Sequence, residues 1–140
     1  MENATSAKKD YSKLTNKELR IAIAQALGFE LDGALPLWGT VIIDGVKVGC
    51  IIPNYPEDDT AALETLKSLV EKEPQLEVSI SHETLDGEYD LPHWFCWITR
   101  WPSDEFAPEE IVTAQGIHPD SIARAAAEAI LEYLEATKKE

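Results

Sequence analysis

The chain has 140 residues, 44% of them hydrophobic and 27% charged, with a formal net charge of −14. That length and balance suit one globular domain rather than a disordered segment, and no apolar run approaches the roughly 20 residues that span a bilayer. A pI near 4.5 opposes non-specific binding to a phosphate backbone, while it suits a soluble surface or an acidic mimic of nucleic acid.

Residues 1–13, MENATSAKKDYSK, are polar and lack the apolar stretch of a signal peptide. They read as a mobile arm, with 14–137 as a single cytoplasmic domain. Thr15-Asn16-Lys17-Glu18 matches a capping box, and Leu19, Ile23, Ala26 and Leu27 follow at helical spacing. The first helix is expected over 16–27, with Gly28 just past its end. Gly33 to Pro36 break the chain, and Thr40 to Ile52 form a β-hairpin about Asp44-Gly45, a pair favoured in type I′ turns. Pro53 to Pro56 end the second strand. The second helix is expected over 59–72, opened by Asp58 and Asp59 and stopped by Pro74. Leu76, Val78 and Ile80 alternate with polar residues, the signature of a half-buried strand. A loop from Thr84 to Pro92, containing Asp86-Gly87, leads to a strand over 93–101 that is apolar on both faces and ended by Pro102. Ile111 to Ala114 suggest a short edge strand, and Gln115 to Ser121 a turn. The last helix starts at Pro119, a residue favoured at the first helical position, and Lys138-Lys139 suit its end. The order α-β-β-α-β-β-α gives an α+β fold, with a mainly antiparallel four-stranded sheet packed with helices.

Signals for catalysis are poor: the chain has no Walker loop, dinucleotide fingerprint, nucleophile elbow or zincin motif. A non-enzymatic protein without a cofactor is expected. His82, Glu83 and His93 are the metal-ligand combination to consider, against an ordinary role at strand ends. Cys50 and Cys96 lie in apolar β-rich runs, where a reduced thiol packs as a small hydrophobe. Trp94, Trp97 and Trp101 share one strand, with Trp38 elsewhere. Alternation sets Trp97 and Trp101 on the face of His93 and Phe95, and Arg100 on the face of Trp94. Such aromatics with an arginine stack a base and grip a phosphate, or fill a core or a subunit interface. The stretch around His118 and Ser121 delivers the chain to a helix N-terminus, where free amides attract anions, with Arg124 one turn on. Asp120 opposes an anion there, and Arg124 also stands at the spacing to pair with Glu128. The candidate ligand set is therefore Trp38, Trp97, Arg100, His118, Ser121 and Arg124. The alanines of the last helix suit tight packing on the sheet or against a second copy, so a homo-oligomer is expected.

Trp38 to Tyr55, then Pro56-Glu-Asp-Asp-Thr-Ala-Ala62 opening a helix, and Ile122-Ala-Arg-Ala-Ala-Ala-Glu-Ala129 near the end resemble the small phage proteins of the phage ABA sandwich domain family. The resemblance spans about residues 15–135. It implies an α/β/α layered fold and a phage or prophage origin. The chain is also similar to Thoeris anti-defence sponges, which implies sequestration of a cyclic nucleotide signal between subunits, by aromatic stacking and arginines such as Arg124. The chain departs from that pattern in having only Arg20, Arg100 and Arg124. The alternative is an acidic inhibitor that binds a host protein directly.

Overall fold

The computed structural model describes residues 10–32, 35–84, 91–101 and 112–138. The Asp86-Gly87 loop, Pro102, Ile111, Lys139 and residues 1–9 of the expected arm lie outside that range. Helix α1 (Asn16–Ala26) begins as its sequence dictates: the Glu18 amide donates to Thr15 Oγ1 at 3.0 Å, and the Thr15 amide to Glu18 Oε1 at 2.8 Å. It ends where Gly28 adopts φ 101°, which lets the Phe29 amide reach back to the Ala24 carbonyl at 2.9 Å, a Schellman closure.

The chain then builds a three-stranded antiparallel sheet from β1 (Glu30–Asp32), β2 (Leu35–Ile43) and β3 (Val46–Ile51). Asp44 and Gly45, at φ 51° and 81°, make the type I′ turn between β2 and β3. Two features of this sheet depart from the expectation: β1 exists, and β2 starts at Leu35, within the stretch read as a break. A three-residue strand is too short to show periodicity, and pairing with β2 is what holds it extended.

Helix α2 (Asp59–Lys72) has the expected bounds, with Asp58 accepting the Thr60 amide at 3.0 Å. A second three-stranded antiparallel sheet follows, made of β4 (Leu76–Glu83), β5 (His93–Arg100) and β6 (Val112–His118). Helix α3 (Ile122–Lys138) closes the described chain. The sheet expected to have four strands is thus six strands in two sheets, within the same α+β class. Strand β6 runs through Gln115-Gly116, which composition marks as a turn. The glycine is there for a different reason: a Cβ on Gly116 would stand 1.8 Å from the Ala125 carbonyl oxygen. Its absence lets α3 lie directly on the sheet.

Helix α3 packs on β5 and β6, α2 on β4 and α3, and α1 on α3. The sheet residues that meet them are Leu76, Val78, Cys96, Ile98, Ala114 and Gly116, which share one face by register. Both described helices on this sheet occupy that face, so a helical layer on the other side is not part of the described architecture. The core joins Leu19 and Ile23 of α1, Leu66 and Leu69 of α2, and the alanines, Ile130 and Tyr133 of α3. Tyr11 to Lys13, assigned by sequence to the arm, form a 3-10 turn docked on α3, with the Tyr11 hydroxyl donating to Glu135 at 2.5 Å.

Candidate functional site

A groove of about 300 Å3 opens between α2 and the first sheet. It is lined by the apolar Leu27, Phe29, Val41, Pro53 and Leu69 and by the polar Glu64, Thr65, Ser68 and Lys72. Each lining residue has a local cause. The Schellman closure at Gly28 turns the chain so that Phe29 leaves α1 toward the sheet. Gly39 keeps β2 close beneath it, since a Cβ there would lie 3.4 Å from the Phe29 ring and 3.1 Å from the Glu30 carbonyl. Pro53 ends the hairpin at the mouth of α2. Ser68 and Lys72, four residues apart, stand on one face of α2 and are exposed, whereas Thr65 Oγ1 is occupied by the Ala61 carbonyl at 2.8 Å. An aromatic ring, a proline and aliphatic groups in one lining with a lysine and a hydroxyl can hold a small molecule with a planar apolar body and one anionic end, while the Glu64 carboxylate opposes further negative charge.

The residues expected from sequence to bind a ligand do not converge as a set: His118, Ser121 and Arg124 adjoin at the start of α3, while Trp38, Trp97 and Arg100 lie elsewhere. Arg124 is buried, its Nε donating to Glu128 at 2.6 Å and its other nitrogens to Asn16 Oδ1 and the carbonyls of Tyr11, Ser12 and Leu14. Its guanidinium ties the N-terminal turn and the start of α1 to α3. Arg20 donates to the Ile52 carbonyl at 3.1 Å, and Arg100 pairs with Glu73 at 4.0 Å. The expected anion position at the start of α3 holds an anion from the protein itself, the Asp59 carboxylate, which accepts the Ala123 amide at 3.2 Å. Ser121 Oγ accepts the Arg124 amide, and His118 Nδ1 accepts the amides of Asp120 and Ser121, each at 3.0 Å. These bonds hold Pro119 and Asp120 in a bend, which is why α3 starts at Ile122 rather than at the proline.

Trp97 lies on the sheet face away from α3, half-buried and parallel to buried Phe95 with ring centroids 5.3 Å apart. Register places Ser79 and Gln115 on either side of it. Trp101 is exposed and donates to Glu77 Oε1 at 3.3 Å. Trp38 belongs to the first sheet. Trp94 stacks on His82 at 4.3 Å, on the α3 side, while Glu83 and His93 pair on the opposite face. The three groups considered for a metal are therefore split between two faces. Among the described residues no cluster of three His, Cys, Asp or Glu is placed to hold a metal ion, and no helix is long and apolar enough to cross a membrane. Cys96 is buried beside the helix, which pushes its thiol up to about 12, and Cys50 is also free.

The groove residues Phe29, Ser68 and Lys72 were not singled out from sequence. They come from a helix end, a strand start and a different helix, and no local pattern joins them. Compared with family models, curated proteins and solved structures, the chain matches none.

Proposed function

We propose that this protein is a binding protein that sequesters a small nucleotide-derived ligand without transforming it. The observation that carries the reading is the groove beneath α2, which Phe29, Pro53, Ser68 and Lys72 line together. A volume of about 300 Å3 is at the lower end for ligand sites and suits a single nucleoside-sized group. Lys72 supplies the charge for a phosphate edge, a part first assigned to Arg124, whose donors are engaged within the protein. We extend the proposal to the role that the sequence resemblance implies, a phage protein that withholds a nucleotide immune signal from its host receptor.

The test is a thermal-shift screen against mononucleotides, cyclic dinucleotides and cyclic ADP-ribose isomers, with the ligand recovered and identified afterwards. A ligand at about 100 times its Kd stabilises the fold by about 2.7 kcal/mol. The expected result is an upward shift with one of these, the ligand returned intact, and about tenfold weaker binding by Lys72→Glu, an exposed position. A panel without any shift overturns the reading. Binding that survives Lys72→Glu but is lost in Trp97→Ala moves the site to the face of the second sheet.

A further inference from the structure

The first sheet ends in water with an apolar edge. From Leu35 to Ile52 the sequence LPLWGTVIIDGVKVGCII carries only Asp44 and Lys47 as charges, in a chain of net charge −14. Ile42, Ile43, Val46, Val48 and Ile51 are 66%, 53%, 61%, 37% and 65% exposed. Among the described residues no strand pairs with the outer side of β3. An exposed, apolar edge of this kind templates further strand pairing unless something covers it.

We propose that the occupant is β3 of a second copy, paired antiparallel about a two-fold axis at Gly49 to give a continuous six-stranded sheet. The free hydrogen-bonding groups define this register. The Ile52 amide donates to the Leu37 carbonyl at 2.8 Å, and alternation along the ladder then turns the groups of Val46, Val48 and Cys50 toward β2. The N–H and C=O groups of Lys47, Gly49 and Ile51 face the open edge. Setting Gly49 opposite Gly49 of the partner subunit pairs all three, with Lys47 opposite Ile51 of the partner subunit. It also keeps the two Lys47 ammonium groups apart. Trp38 adds an aromatic contact: its indole lies over Gly49, where a Cβ would stand 3.2 Å from the ring. Two such rings would flank the axis on the same face of the joined sheet.

Charge and symmetry favour a second copy. Two bodies of net charge −14 approach most easily along a segment that is nearly neutral, where Lys47 is balanced by Glu30 at 3.5 Å. The apolar groups that this pairing covers are those of the outer strand, Val46, Val48 and Ile51, with Trp38 beside Gly49. A two-fold contact between identical antiparallel edges is self-complementary.

The experiment is sedimentation velocity on the wild type, Ile51→Lys and Ile51→Lys/Lys47→Glu, with circular dichroism confirming that all three are folded. The wild type is expected to be a dimer at concentrations up to about 100 μM. Ile51→Lys sets lysine opposite lysine and is expected to dissociate at least about tenfold more readily, while the double variant, with opposite charges facing, regains the dimer. A monomeric wild type across that range overturns the proposal and frees the edge for a different partner. An Ile51→Lys variant that dimerises like the wild type also overturns it, as does a double variant that stays monomeric.

Discussion

Arg124 is a charged side chain placed where water barely reaches, and its surroundings show why it is tolerated. Glu128, one helical turn away and also buried, provides the counter-charge, while Nη1 donates to Asn16 and Nη2 is shared among three backbone carbonyls. Removing one member of such a pair leaves the other charged and without compensation, which costs about 3–5 kcal/mol. Arg124→Met is expected to lose that much stability in urea unfolding. Arg124→Met/Glu128→Leu is expected to recover much of the loss, because no lone charge then remains. Equal destabilisation of the single and double variants would show that the carbonyl bonds, rather than the ion pair, dominate.

Between β6 and α3, the decisive group is a missing methyl. Gly116 lets the helix backbone come so near that a Cβ would overlap the Ala125 carbonyl, and the small residues Ala125 and Ala129 complete the approach. Gly116→Ala is expected to lower stability by about 3 kcal/mol, at the upper end for overpacking, because backbone rather than a flexible side chain must move. The check is a reduced urea midpoint with an unchanged slope. Other elements depend less on their neighbours. The box at Thr15 and Glu18 starts α1 through contacts within four residues, and Asp44-Gly45 turns the hairpin through its own dihedral angles. Both were readable because their causes are local, as was Asp58 ahead of α2.

For the molecule as a whole, the pH dependence follows from the buried Tyr55, Tyr133 and Cys96 and the half-buried Tyr11. Burial raises Tyr55 from 10.0 to about 12. Burial together with the Glu135 and Glu73 carboxylates raises Tyr11 and Tyr133 further, and burial raises Cys96 from 9.0 to about 12. In each case the folded state holds its proton more tightly than the unfolded chain, so the stabilisation is fully present below the unfolded value. It declines as pH rises from about 9 for the thiol and about 10 for the phenols. The urea midpoint is expected to hold near about pH 8 and to fall by about pH 10.5, with a smaller fall in Tyr133→Phe. A midpoint that stays level across this span would place these groups in wetter surroundings than the structure gives them.

The sequence by itself determined whatever is decided within a few residues: the three helices, the hairpin about Asp44-Gly45, the alternation of β4 and the two faces of β5. It also showed the acidic balance and the neutral, apolar stretch of the hairpin. Tertiary structure alone decided which of those pieces meet. Gly116 looks like a turn residue until α3 lies on it, and Arg124 looks available for a phosphate until Asn16 and the turn at Tyr11 reach it from more than a hundred residues away. The groove is hidden in the same way, because Phe29 and Lys72 become neighbours only when α2 settles over the first sheet. Local chemistry fixes backbone conformation through short-range hydrogen bonds and sterics. A binding surface depends on which distant groups the packed chain leaves without a protein partner.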